Sequence, residues 1–227
     1  MNLIRDIRAL IGGAPSLTYL GSVNLATPTT PLIQSFDLGV HPSRDAVLIG
    51  AMAGLGSAIL NKITVNGSQA LIELLVTTAN FSQDLCIWTC ADLNDRYVNI
   101  HPAKIPAGSQ PFFCSLWLAT GLTRKRALAT VGNTTATATA RTGNLGTVDG
   151  GFVVGIAANN ITAAQATAWT GDIIPTKRFD AVSLGGTPMW ISTAEIFPTI
   201  NDSANTLTAT FDIISTTHAT FAAAAFR

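Results

Sequence analysis

Charge is scarce in this chain. Only 11% of its 227 residues are Asp, Glu, Lys or Arg, against about a quarter in an ordinary soluble domain. Thirteen basic residues balance thirteen acidic ones, so no electrostatic footprint for nucleic acid or an anionic membrane is expected. Cysteine is scarce too. Cys86, Cys90 and Cys114 are an odd set, which argues against a disulfide scaffold and for synthesis in a reducing compartment. Cys86 and Cys90, four apart, would share one face of a strand at ~13 Å, beyond bridging reach. They read as small apolar side chains. No apolar run approaches the ~20 residues that span a bilayer, so no membrane insertion is expected. Arg5, Asp6 and Arg8 interrupt the apolar pattern of Met1–Gly13, so no secretory signal is expected there either.

Catalytic signatures are also missing. His41, His101 and His218 stand far apart, and none belongs to a His-Glu-x-x-His set. There is no Gly-x-Ser-x-Gly elbow and no phosphate loop; Gly50 and Gly54-Leu55-Gly56 lack the Lys-Ser/Thr that would follow. Asp92, Asn94 and Asp95 could make a loose Ca²⁺ loop, but an Asp-rich turn needs no cation, and no metal or cofactor is expected. A hydrolase would need paired carboxylates or a nucleophile with a base, and the expectation is a chain that is not an enzyme.

Helical periodicity is confined to the N-terminus. Leu3, Ile4, Ile7, Leu10 and Ile11 follow one helix face, and Gly12-Gly13 with Pro15 stops it. Residues 1–16 therefore form an expected amphipathic helix. A helix of ~11 residues is marginal alone, so it must pack on its own β-domain or self-associate. Leu3, Ile7 and Leu10 also fit an a/d seam and are the candidate assembly residues.

From Leu17 the period changes to that of strands. Leu17–Leu25, Leu32–Leu38, Ala46–Ala51, Leu60–Val65, Ala70–Val76, Leu85–Cys90, Tyr97–His101 and Phe112–Leu118 are strand candidates. Asn66-Gly67 is the strongest hairpin signal, and Pro102–Pro111 reads as a loop. Arg124-Lys125-Arg126 is the only run of three like charges and reads as a solvated linker. Gly121–Arg126, which holds this run, is the boundary between module 17–121 and module 122–227.

The second module repeats the order of the first. Thr134–Arg141 is a Thr-Ala alternation with strand character. Phe152–Ala157 matches Val47–Met52, and Thr167–Trp169 falls where Ile63–Val65 fell. Met189-Trp190 answers Ile87-Trp88, Leu207–Ile213 answers Tyr97–His101, and Phe221–Phe226 answers Phe112–Leu118. The offsets stay between about 102 and 110 residues. Short strands with turn signals at this spacing predict an all-β chain of two tandem β-sandwiches, jelly-roll or immunoglobulin-like. Ile161–Thr170 is Ala-rich and is expected to hold a short helix.

Several of these pieces together resemble a known group. They are Asp45–Ala51, Ile63–Gly67, Ile87–Ala91, Tyr97–Ile100, Phe112–Gly121, the Gly-Gly-Phe-Val-Val of Gly150–Val154, the Trp-Thr-Gly of Trp169–Gly171 and the Ala-rich ending Ala219–Phe226. Their order resembles uncharacterised double β-sandwich structural proteins of tailed bacteriophages and prophages, over about Tyr19 to Arg227. The resemblance implies a virion component of decoration, spike, fibre or tail-associated type, assembled in the bacterial cytoplasm. Its partners would be copies of itself and other virion proteins. It implies no catalytic residues. The alternative is a module for host-surface glycan, whose sugar would stack on an exposed tryptophan. Trp169, leading into the turn Thr170-Gly171-Asp172, is the candidate ligand residue among Trp88, Trp117, Trp169 and Trp190.

Overall fold

The computed structural model describes residues 15–25, 34–39, 41–54, 59–78, 84–104, 112–135, 140–147, 149–159, 165–182, 189–198, 201–212 and 219–227. The expected N-terminal helix lies outside these residues, with Leu3, Ile7 and Leu10, except at its end, where Ser16 already opens a strand; His218 also lies outside them. The described part is all-β and antiparallel.

Among the described residues nine strands precede the basic run: β1 (Ser16–Leu25), β2 (Gln34–Asp37), β3 (Val47–Gly54), β4 (Ile59–Val65), β5 (Ser68–Gln69), β6 (Leu71–Thr77), β7 (Asp84–Cys90), β8 (Tyr97–Lys104) and β9 (Phe112–Thr120). Eight follow it: β10 (Ala129–Thr135), β11 (Ala140–Thr147), β12 (Phe152–Asn159), β13 (Thr167–Gly171), β14 (Thr176–Val182), β15 (Trp190–Ile196), β16 (Asp202–Phe211) and β17 (Ala219–Phe226). They make two five-stranded sheets, β1-β9-β3-β7-β6 and β10-β17-β12-β15-β14, and two smaller ones, β2-β8-β4-β5 and β11-β16-β13. Removing the two-residue β5 makes the two halves superpose in order. The large sheets become the same list, and so do the small ones.

The duplication extends to single residues. With Gly50 set on Gly155, Val47, Ile49, Ala51 and Ala53 fall on Phe152, Val154, Ile156 and Ala158. All eight enter one hydrophobic cluster shared by the two large sheets. The alternate residues Leu48 and Met52 face a cluster with β4 and β8 of the first small sheet. Their counterparts Val153 and Ala157 face one with β11, β13 and β16. Strands β3 and β12 are thus buried along their whole length. Continuous apolar composition, rather than alternation, is what burial on both faces demands.

The edge strands of the large sheets cross over one another. Asn24 Nδ2 of β1 donates to the Val182 carbonyl of β14 at 2.9 Å, and Arg178 of β14 lies over the Tyr19 ring of β1, 5.6 Å from its centroid. On the opposite side Gly132 of β10 presses on Val76 of β6, and a Cβ there would overlap the valine methyl. β1 corresponds to β10 and β6 to β14, so the two contacts exchange as an approximate two-fold axis requires.

Several sequence expectations are corrected. The Thr-Ala alternation over Thr134–Arg141 is not one strand: β10 ends at Thr135 and β11 begins at Ala140. The helix expected over Ile161–Thr170 is absent from its described part, where Thr167–Gly171 is a strand. There Thr167 and Trp169 are buried and Ala168 is exposed, a period of two that overrides the helix propensity of alanine. The expected loop from Pro102 begins later, because β8 runs to Lys104. Pro102 lies past the last β2 partner of β8, at Ile100, so its missing N–H breaks no ladder bond on that side. The Asn66-Gly67 hairpin forms with φ of 50° and 83° at the two residues, the positive pair that a two-residue turn needs.

Candidate functional site

The polar chemistry of the described chain is concentrated at the seam between the two large sheets. Glu195 is the centre of it. The residue sits on β15, buried on both faces of its sheet, 1% exposed. Its Oε2 accepts from Trp117 Nε1 of the first half at 2.7 Å, and its Oε1 pairs with the Arg178 guanidinium. Arg178 occupies the extra position of a β-bulge between Lys177 and Phe179, which turns its side chain towards the seam. Hydrogen bonding to Glu195 pushes the already high guanidinium pKa further up. The Tyr19 ring closes the set, 5.5 Å from Trp117.

A chain of hydroxyls continues from it. The Tyr19 and Ser22 hydroxyls lie 2.5 Å apart, Ser22 and Ser115 likewise 2.5 Å, and Ser115 and Thr193 3.3 Å. Ser115 and Thr193 are buried, so the contact hydrogen-bonds two hydroxyls inside the seam.

The two-fold mate of this site has different residues. In strand register Thr89 corresponds to Glu195, and Glu73, at the bulge between Ile72 and Leu74, corresponds to Arg178. There the Thr89 hydroxyl donates to Glu73 Oε1 at 2.8 Å. The bulge is kept in both halves, and the residue it carries has opposite charge.

All four tryptophans are buried. Trp169 is 8% exposed, so the expectation of an exposed stacking face is not met: its Nε1 donates to Ser192 Oγ at 2.8 Å and its ring packs beside Phe221. Trp190 donates to Asp180 Oδ1 at 2.8 Å and to Thr167 Oγ1 at 3.0 Å. Trp88 lies against Gly50 with its N–H unpartnered. Its register counterpart is Ala194, not Trp190, because Trp88 stands opposite Gly50 and Trp190 opposite Asn159. The space over Gly155 is filled instead by Trp169 from the small sheet, 3.1 Å from where a Cβ would sit. Each half fills the notch above its strand glycine with an indole, from opposite sheets.

The remaining sequence candidates are scattered. Asp95 accepts from the Tyr97 N–H at 3.3 Å, the bond of a turn-forming aspartate. Among the described residues no three of His, Cys, Asp and Glu gather in metal-binding geometry. The three thiols are free and buried, all in the core of the first half. Burial pushes the Cys86 and Cys114 thiols far up, and that of Cys90 up as well. A small apolar depression is lined by Leu145, Val153, Ile173, Ile196 and Leu207, with Thr147, Asn205 and Thr206 at its side. Compared with known protein families and curated proteins, the chain matches no family model and no curated sequence.

Sequence reasoning missed the Arg178–Glu195–Trp117 set. The signal was a lone glutamate inside Trp-Ile-Ser-Thr-Ala-Glu-Ile, a strand otherwise fit for burial. A charge at such a position needs a partner.

Proposed function

We propose that this chain is a non-enzymatic structural subunit of a bacteriophage particle, repeated on the virion as a decoration, spike, fibre or tail-tip component. Each half is taken as a β-sandwich of jelly-roll type. What supports the jelly-roll over an immunoglobulin-like order is the nesting of its strands: first beside last, and second beside second-to-last, in both halves.

The observation that carries the functional reading is where the polar groups are placed. Glu195, Arg178, Trp117, Ser115 and Thr193 bind the two halves to each other, and the four indoles are turned inward. A molecule built this way joins two repeats through one shared core, which suits a building block. Repetition on a symmetric particle lets individually weak contacts add up. The resemblance of Tyr19–Arg227 to phage structural proteins points the same way. Leu3, Ile7 and Leu10 are proposed to dock the subunit or join its copies. Assembly would take place in the bacterial cytoplasm.

Labelling purified particles with antibody against the folded chain tests this reading. Regularly spaced label on heads or tails is expected. Unlabelled particles, with the antigen left in the cleared lysate, would overturn it.

A further inference from the structure

The Arg124-Lys125-Arg126 run is not a loose linker in the folded chain. The Arg227 carbonyl accepts from the Thr123 and Arg124 N–H groups at 2.9 and 3.2 Å and from the Thr123 hydroxyl at 2.7 Å. The Leu128 N–H donates to the Ala225 carbonyl at 2.7 Å. Lys125 Nζ donates to the Arg44 carbonyl at 2.8 Å. Four backbone and side-chain bonds thus clamp the run onto the last strand, and a fifth ties it to the turn before β3. This brings Arg44 and Arg227, 80 and 103 residues from Arg124 in sequence, to the same end of the molecule.

 

All five side chains are exposed. None takes part in an ion pair among the described residues, where the pairs are Arg96–Asp37, Lys177–Asp180 and Arg178–Glu195. Asp45, next to Arg44, is the acidic residue adjoining the group in sequence. In a chain of zero net charge, five of the thirteen cations are held together by bonds that fix their backbone. Like charges held this way repel, and among the described residues no ion pair offsets the repulsion.

We propose that this end of the molecule is a docking surface for a carboxylate-rich protein segment. Four of the five cations are arginines, whose planar fork takes a carboxylate through two parallel bonds. The cations come from three chain segments that these bonds hold side by side, and all four tryptophans are buried, leaving no indole on which the bases of a nucleic acid could stack. The inference stands on the cluster alone and needs no particle.

The test is fluorescence anisotropy of a labelled poly-glutamate peptide titrated with the full chain, beside a single-stranded oligonucleotide of equal charge. Peptide binding that weakens with salt is expected. It should fall roughly tenfold in the triple variant Arg124→Gln, Lys125→Gln, Arg126→Gln, as the loss of several exposed pairs implies. The triple variant should melt cooperatively at or above the parent temperature, since repulsion is relieved. A second variant, Arg44→Gln with Arg227→Gln, should weaken binding in the same sense. Equal binding by parent and both variants, no binding at low salt, or tighter binding of the oligonucleotide would each overturn the proposal. None of these results would bear on the particle reading.

Discussion

Trp117 Nε1 donates a 2.7 Å hydrogen bond to Oε2 of Glu195, a residue 78 positions away in the other half of the chain. The carboxylate is buried, and its second oxygen is held by Arg178. Removing one partner of such a set leaves the others unsatisfied. Glu195→Ala is expected to destabilise the fold by about 3 kcal/mol, near the lower end for broken buried pairs because Arg178 is partly exposed. Trp117→Phe should cost less, about 1–2 kcal/mol, by orphaning one carboxylate oxygen. Urea unfolding of both variants and of Arg178→Met, combined in a double-mutant cycle, measures the coupling. Strictly additive effects would contradict the described set.

Gly50 and Gly155 occupy corresponding positions but face different neighbours. A Cβ on Gly50 would overlap the Trp88 indole, whereas one on Gly155 would lie 3.1 Å from Trp169. Gly50→Ala is expected to destabilise by about 3 kcal/mol or more, as overpacking of a rigid core does, and Gly155→Ala by about 1 kcal/mol. Thermal melts compare them. Equal losses would count against the different placement of the two indoles.

Two aspartates should shape the pH dependence in opposite senses. Bonding to Arg96 holds the Asp37 carboxyl down to about 2, from an ordinary 3.8. Its stabilising contribution is therefore present above pH 3.8 and lost as pH falls towards 2. The pair is exposed, so the effect is small and screened by salt. Burial raises the Asp84 carboxyl above its ordinary value, and its Oδ1 has no hydrogen-bond partner. Ionised Asp84 therefore weakens the fold, and this penalty fades as pH falls through its raised pKa. Asp84→Asn should stabilise the chain by about 1 kcal/mol at neutral pH and flatten that part of the profile. A less stable Asp84→Asn variant would contradict the assignment.

The buried thiols make a chemical prediction. With burial pushing them up, Cys86, Cys90 and Cys114 should react with a thiol reagent only as fast as the fold opens. Denaturant should release all three at once. Fast reaction of any one in the native chain would place it outside the core.

The duplicated strand order was legible because burial on both faces writes itself into composition: Val47–Met52 and Phe152–Ala157 are continuous apolar runs at a constant offset. Asn66-Gly67 was legible for a local reason, since few other pairs adopt two positive φ values cheaply. The seam was not legible. Glu195 and Arg178 are 17 residues apart, yet their partners Trp117 and Tyr19 come from the other half, and only tertiary packing joins them. Trp169 misled for a related reason. The turn after it suggested exposure, but the notch above Gly155 is a place only the folded core creates. The basic run looked like a linker because Arg44 and Arg227 reach it through hydrogen bonds between segments far apart in sequence, which no local pattern encodes.

The most direct test of the proposed role is the protein composition of purified particles, measured by quantitative mass spectrometry. The account predicts this chain in a fixed copy number relative to the major particle protein, retained through density-gradient purification. Its absence from particles, with the chain recovered only in the host lysate, would contradict the account.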